Sequence, residues 1–481
     1  MKKSLKHKTL HGISWSFIDN IAGSGITFLV GIVLARLLSP SEFGIIGMLA
    51  IFIAISNSIV DSGFSNALIR KINAEKQDYN TVFIFNLVTS IFLYILLFFA
   101  APAISRFYKE PQLIYITRVI GLILILNAFG IIQRTLLVKS IDFKTQAKIS
   151  IIASLGSGVI GIGMAFYGFG VWSLVAQQLT RQFLNSLFLW VFNKWRPSLQ
   201  FSMQSFKELF GFGSKLLASG LIDTTYRNIY YLIIGKFYTP DQLGQYTRAE
   251  QFNSIFSSNL TSVIGRVSYP VLSSIQDEKE RLLMAYRKLI KTTMLITFAC
   301  MLGMAAAAKP MILILIGEKW LPAVIYLQIM CFAGMLYPLH AINLNILQVK
   351  GRSDLFLKLE IYKKCLAVIP IALGIFLGIE YLLMGSVLTS FIAFFLNSYY
   401  AEPLINYPTL QQIKDILPSF FISLFTALIM WSFSFLKWKS GLVISIQISV
   451  GLMLAYLLYE KFSLPEYNEA KQIAFSFIKK Q

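Results

Sequence analysis

Apolar residues along this chain gather in stretches of about 20, separated by short polar clusters rich in Gly, Pro and Lys. An α-helix of that length crosses roughly 30 Å of hydrocarbon at about 1.5 Å per residue. Fourteen stretches stand out: 13–34, 43–64, 82–104, 115–137, 149–167, 171–192, 209–235, 246–270, 289–316, 321–347, 356–378, 381–401, 415–436 and 440–459. The pattern predicts an all-α polytopic membrane protein with about 14 transmembrane helices. The opening MKKSLKHKTLHG resembles the start of a secretory signal, but the apolar run behind it reaches Leu34 without a small-residue cleavage site. We read it as a retained first span.

Composition confirms the class. Of 481 residues, 56% are hydrophobic and 14% charged, against roughly 45–50% and 25% in soluble domains, which excludes a cytoplasmic enzyme. The net charge of +20 would suggest nucleic acid in a soluble chain. Here it has another use, because cytoplasmic loops of membrane proteins collect Lys and Arg. With the N-terminus inside, 29 basic residues fall at the inner ends of the fourteen spans and 10 at the outer ends, so both termini are expected in the cytoplasm and no nucleic-acid partner is expected. Cys300, Cys331 and Cys365 lie in or near apolar stretches, at spacings that fit neither a metal nor a redox motif.

An internal repeat orders the spans. Residues 35–44, ARLLSPSEFG, and 235–244, GKFYTPDQLG, share one sequence of types: basic, two apolar or aromatic, Ser or Thr, Pro, two polar, apolar, Gly. Each predicts an outer turn in which Ser39 or Thr239 caps a helix, Pro40 or Pro240 opens it, and Glu42 or Gln242 completes a capping box. The likeness returns at Val138-Lys139 with Asp142 and Val349-Lys350 with Asp354. Six spans is an even number, so the halves have the same orientation and an axis along the membrane normal relates them. The expected organisation is an N-terminal six-helix bundle with a cytoplasmic linker (1–205), a second six-helix bundle (206–405), and two further helices with a tail (406–481). A cleft between two parallel-repeat bundles is a transporter architecture. Within the linker, Trp195 between Lys194 and Arg196 suits the headgroup level, ahead of a short surface helix.

Ionisable groups inside spans are costly and usually face a water-filled cavity or a partner. Among them are Asp19, Asp61, Arg181, Asp223, Arg227, Arg248, Glu250 and Arg266. Asp223 and Arg227, four residues apart, share a helix face; their pairing is either structural neutralisation or a cavity pair that Arg227 leaves to meet an anion. Arg248 and Arg266 are five turns apart, about 27 Å along one face, and either mark the outer and inner levels of one wall or snorkel to the nearer headgroups. Tyr226, Tyr230, Tyr231 and Tyr246, with Gln245 and Asn253, add surface suited to sugars, although interfacial Tyr is common in any membrane protein. Asn57, Asn66, Asn228 and Asn259 either line the cleft or join helices.

Several motifs lead nowhere. Gly156-Ser-Gly158-Val-Ile-Gly161 spells G-x-G-x-x-G but sits inside a span, where small residues allow close helix packing. Asn259-Leu-Thr261 is likewise inside a span, and His7, His11 and His340 form no ligand cluster. With no Walker lysine and no catalytic constellation, the sequence predicts a non-enzyme without cofactor or metal, and leaves proton or sodium coupling open.

The outer turn 35–44, the segment Asp61-Ser-Gly-Phe-Ser-Asn-Ala-Leu-Ile-Arg70, the linker RPSLQFSMQSFKELFGFG (196–213) and SYPVLSSIQDEKERLLMAYRK (268–288) together resemble the polysaccharide-exporter branch of the multidrug/oligosaccharidyl-lipid/polysaccharide transporter superfamily. The resemblance is to Wzx-type flippases of the colanic acid and O-antigen kind. It implies two six-helix bundles around a V-shaped cavity in a bacterial inner membrane. It also implies movement of an undecaprenyl-pyrophosphate-linked oligosaccharide, a repeat unit of exopolysaccharide, capsule or O-antigen, to the periplasmic leaflet by alternating access. Arg227, Arg248 and Arg266 match a pyrophosphate-neutralising role. Residues 415–459 match a pair of helices that forms a groove for the lipid tail, or else serve as packing. Glycan polymerase and chain-length or export machinery are the implied partners. Competing readings are a cation-coupled small-molecule or drug exporter of the same superfamily, which needs a deep carboxylate such as Asp19, Asp61 or Asp223; a membrane glycosyltransferase or polymerase, which needs a large outer loop; and a non-transporting scaffold.

Overall fold

The computed structural model describes residues 23–436, 438–468 and 471, and every regular element among them is helical. The chain runs through α1 (Gly23–Leu37), α2 (Pro40–Asp61), α3 (Phe64–Arg70), α4 (Lys76–Tyr108), α5 (Leu113–Ile120), α6 (Leu122–Lys139), α7 (Phe143–Phe166), α8 (Val171–Phe192) and α9 (Met203–Phe237). It continues through α10 (Pro240–Ser274), α11 (Lys279–Leu315), α12 (Ala323–Gly334), α13 (Tyr337–Val349), α14 (Ser353–Leu366), α15 (Val368–Phe376), α16 (Ile379–Ile405), α17 (Thr409–Ser432) and α18 (Ser440–Lys461). Among the described residues, nine helical stretches are long and apolar enough to cross a membrane: Pro40–Arg70, Lys76–Tyr108, Leu113–Lys139, Phe143–Phe166, Lys279–Leu315, Ala323–Val349, Ile379–Ile405, Thr409–Phe435 and Ser440–Lys461. The other five expected spans coincide with α1, α8, α9, α10 and α14 with α15. Of these, α1 is described only from Gly23, and charged and amide residues interrupt the apolar runs of the rest.

Local chemistry explains the breaks. Ser39 N–H donates to Glu42 Oε2 at 2.6 Å, and Thr239 N–H to Gln242 Oε1 at 3.2 Å, so both repeated turns close a capping box with Pro at the first helical position. The helix that begins there stops where Ser62 and Gly63 both take positive φ, 48° and 70°, a conformation that favours glycine. The glycines of the failed nucleotide motif do pack helices: a Cβ on Gly156 would meet Leu184 at 2.6 Å, one on Gly158 would meet Val30 at 2.5 Å, and one on Gly161 would meet Gln177 at 2.7 Å. The second repeat signal also has a structural counterpart. Lys139 Nζ donates to the carbonyls of Leu68 and Lys71, at 3.1 and 2.6 Å, and Lys350 Nζ to that of Gln276 at 2.6 Å.

The described residues form two compact units divided between Gly244 and Gln245, so α9 and the first turn of α10 belong with the first. At the lysine-rich end of this unit, Phe64, Leu68, Phe83, Ile132 and Leu209 make a core that also takes in Trp190 and Trp195. Trp195 packs inward, 5.8 Å from Phe83 between ring centroids. The linker carries no separate surface helix. It is extended up to α9 and fastened by Ser198 N–H to Asn80 Oδ1 (3.1 Å), Ser202 N–H to Thr81 Oγ1 (3.0 Å) and Gln133 Nε2 to the Trp195 carbonyl (3.2 Å). In the second unit, α17 and α18 are integral. Leu295, Ile422 and Tyr459 share a cluster, Arg287 forks onto Asp415 with Nη2 at 2.8 Å from Oδ1, and Lys291 lies 3.1 Å from Glu466.

Candidate functional site

In the first unit, α2, α6 and α8 carry a band of amides. Gln182 Nε2 donates to Asn127 Oδ1 at 3.2 Å, and Asn127 Nδ2 donates to Asn57 Oδ1 at 2.9 Å. One turn along α8, Asn185 Oδ1 accepts from Arg134 Nη2 at 3.4 Å. Gln177, Arg181 and Asn185 recur every four residues on one face of α8, and all three are partly exposed. Arg181 lies eleven residues before Phe192, about 16 Å along the axis. Among the described residues it makes no hydrogen bond or ion pair. A partly exposed guanidinium among free amide valences can bind an anion and hydroxyl groups.

The other expected residues separate into distinct roles. Asp61 closes a local turn, accepting the Ser65 N–H at 3.4 Å and the Ser65 hydroxyl, and so caps α3 across the Ser62-Gly63 break. Asp223 and Arg227 do pair, with Nε 2.8 Å from Oδ2, on a face where the two side chains are 48% and 75% exposed. Tyr226 is exposed and Tyr230 half-buried nearby on α9. Arg248 neither snorkels nor stands at an open mouth: it is buried, donates to Gln251 Oε1, and lies 5.9 Å from the centre of the Trp320 ring. Asn253 is buried against Gly334 and joins α10 to α12. Asn228 and Asn259 bond back to their own helix, to the carbonyls of Thr224 (2.8 Å) and Ile255 (2.7 Å). Asp19 and the side chain of Arg266 lie outside the described residues.

Two features escaped sequence reasoning. The amide chain joins residues 70 and 55 positions apart, so only the four-residue rhythm of α8 hinted at it. The second unit holds a cavity of about 490 Å³ walled by α11, α12, α16 and α17, with Ala305, Phe332, Met384, Leu428 and Trp431 among its apolar lining. Its one amide, Gln328, donates to the Ala305 carbonyl at 3.1 Å, which leaves a surface fit for hydrocarbon rather than sugar. Ser423 and Met430 of α17 face α18 instead, through Tyr459 and Gly451. The cavity is therefore not a groove of the last helix pair.

Comparison with known proteins completes the picture. Residues 33–325 match the family described as "Polysaccharide biosynthesis protein". The teichuronic acid biosynthesis protein TuaB of Bacillus subtilis (strain 168) is 26% identical over 355 residues, 73% of each chain. The lipopolysaccharide biosynthesis protein WzxC of Escherichia coli (strain K12) is 24% identical over 439 residues, 89% of this chain and 88% of its own. The succinoglycan biosynthesis transport protein ExoT of Rhizobium meliloti (strain 1021) is 26% identical over 321 residues, 66% and 65% of the two chains. Among solved structures, the lipid II flippase MurJ in an inward closed conformation superposes with a TM-score of 0.73 at 13% identity, covering 94% of this chain and 99% of that one. An inward-facing MATE family multidrug transporter of the MOP superfamily gives 0.62 at 16%, covering 81% and 94%. The structural likeness shows a shared multi-pass helical fold.

Proposed function

Because the chain belongs to the polysaccharide biosynthesis protein family, as a Wzx-type polysaccharide flippase, we propose that it carries an undecaprenyl-pyrophosphate-linked oligosaccharide from the cytoplasmic to the periplasmic leaflet of a bacterial inner membrane, with both termini cytoplasmic. The observation that carries this reading is the partly exposed band on α2, α6 and α8, where Arg181 has no partner among the described residues and the amides of Asn57, Asn127 and Gln182 lie on the same helices. A guanidinium there meets the pyrophosphate, and amides that both donate and accept meet sugar hydroxyls. The polyprenyl tail stays in lipid while only the polar head crosses. No bond is made or broken, so the protein acts as a transporter and not as an enzyme. The duplicated bundles, 1–205 and 206–405, open alternately to either side, and residues 406–481 stay with the second. A polymerase on the periplasmic side consumes the product.

Purified protein in vesicles, supplied with fluorescent lipid-linked oligosaccharide in one leaflet, tests the proposal. Transfer to the other leaflet that depends on the pyrophosphate and on Arg181 is the expected result. Vesicles that instead move amphiphilic drugs against a cation gradient, and no lipid-linked glycan, would establish the drug-exporter reading in its place.

A further inference from the structure

In the second unit, α13, α14 and α16 enclose a titratable cluster that the transport path above does not use. The His340 ring lies between two residues of α16: Asn397 Nδ2 is 3.3 Å from Nδ1, and Nε2 is 3.0 Å from Ser390 Oγ. An amide nitrogen can only donate, so in this arrangement Nδ1 accepts and the proton sits on Nε2. Nε2 then donates to Ser390, whose hydroxyl in turn points to the Ala333 carbonyl at 3.4 Å. On α14, Lys363 pairs with Glu360, the side chains 17% and 26% exposed, and the Lys363 charge lies within electrostatic reach of the ring. His340 is nine residues before Val349, about 13 Å along α13. From α11, the neighbour is the Tyr286 hydroxyl, 2.8 Å from Asn343 Oδ1 and one turn from the imidazole.

One polar atom in this cluster has nothing to bond among the described residues: Asn397 Oδ1, which is fully buried. Such an acceptor is costly where it stands. Turning the amide by half a turn would bring that oxygen onto Nδ1, which suits an imidazole that has gained a second proton. The corresponding helix pair of the first unit, α6 and α8, is held by Asn127 and Gln182, which cannot titrate. Joining helices therefore does not require an imidazole.

Resting on the reading of this chain as an alternating transporter, we propose that His340 is a proton-binding site, with Asn397 as the group that turns to receive the proton and Lys363, paired with Glu360, as the cation that opposes it. A proton taken up at Nδ1 makes the ring a cation. The amide of Asn397 then accepts from it, and the new charge repels that of Lys363 on α14. Proton occupancy thereby biases the opening of the bundle, which gives a proton gradient a way to drive the cycle.

The chain has three histidines, so replacing His7 and His11 with Gln leaves His340 as the single imidazole. In that protein, with the ring isotope-labelled and the fold verified, NMR in nanodiscs reads the tautomer and the titration directly. We expect the Nε2–H form at pH 8 and uptake of the second proton at Nδ1 as the pH falls. Lys363→Met and Asn397→Asp should raise the midpoint and Glu360→Gln lower it, each by about one pH unit. A ring that stays neutral to pH 4.5, or a midpoint that none of the three changes moves, would overturn the site. In parallel, a thiol crosslink between cysteines at 39 and 239 should vary in yield with pH in the parent and not in folded His340→Gln; equal pH dependence in both would overturn the coupling. Neither measurement contains a lipid-linked glycan, so loss of these signals with intact glycan transport removes the proton site alone. Retained signals without glycan transport remove the substrate reading alone.

Discussion

Arg181 sits in the middle of α8, and nothing described in the protein neutralises it, which is costly for a charge within a membrane helix. A cation kept there under that cost points to an anion that visits. Arg181→Ala should lower transport per folded molecule about tenfold, the equivalent of about 1.4 kcal/mol, and Arg181→Lys should lower it less, because charge survives while the planar fork is lost. Binding of a glycolipid lacking its phosphates should hardly change; an equal loss for both ligands would assign Arg181 to structure. Asp61 shows the contrasting case. Its carboxylate serves Ser65 within the same turn, so Asp61→Ala should destabilise the fold by about 1 kcal/mol, read as a lower Tm, with transport per folded molecule little changed. Asp354, on the first turn of α14, is held at about 2, below its ordinary 3.8, by the forked hydrogen bonds from Arg352. Its depressed value means that its contribution to stability is complete above about pH 4 and disappears as pH falls through 2. The Tm difference between the parent and Asp354→Asn should vanish over that window.

Elements defined by their own neighbours in sequence were legible, and those defined by distant ones were not. Ser39, Pro40 and Glu42 lie within four residues, so the capping chemistry of the outer turns could be read directly, and the small residues of 156–161 announced close packing without naming the partner helix. Helix lengths were underestimated, because charged turns such as those opening α4 and α11 extend past the hydrocarbon, where hydropathy has no signal. Arg287 with Asp415 and Gln133 with Trp195 are 128 and 62 positions apart, and no periodicity encodes such pairs. The two repeated turns also do something that neither sequence reveals alone: they meet. A Cβ on Gly44 would collide with the backbone of Pro240, and one on Gly244 with the backbone of Pro40. Because the obstacle is backbone, it cannot rotate away. Gly44→Ala and Gly244→Ala should each force the turns apart, with a several-fold drop in crosslinking between cysteines at 39 and 239. An unchanged yield would mean that the contact is not needed.

At the scale of the molecule, the reciprocal contact of the two turns gives the duplication a mechanical meaning. Both turns lie in the first unit, on the outer side expected for each repeat, and they touch through equivalent glycines. If that side is periplasmic, as the excess of basic residues at the opposite ends implies, then Asn73 and Lys350 should label from the cytoplasm and Lys109 and Thr239 from the periplasm, once Cys300, Cys331 and Cys365 have been replaced. The stronger test couples geometry to transport. A short crosslinker joining cysteines at 39 and 239 holds the turns together, so the headgroup can enter from the inner side but cannot leave on the outer one. Transfer of lipid-linked oligosaccharide should stop, binding from the inner side should persist, and cleaving the crosslinker should restore transfer in the same vesicles. Full transfer by quantitatively crosslinked, folded protein would show that the turns are static ornament of the fold, and that the polar head crosses without their parting.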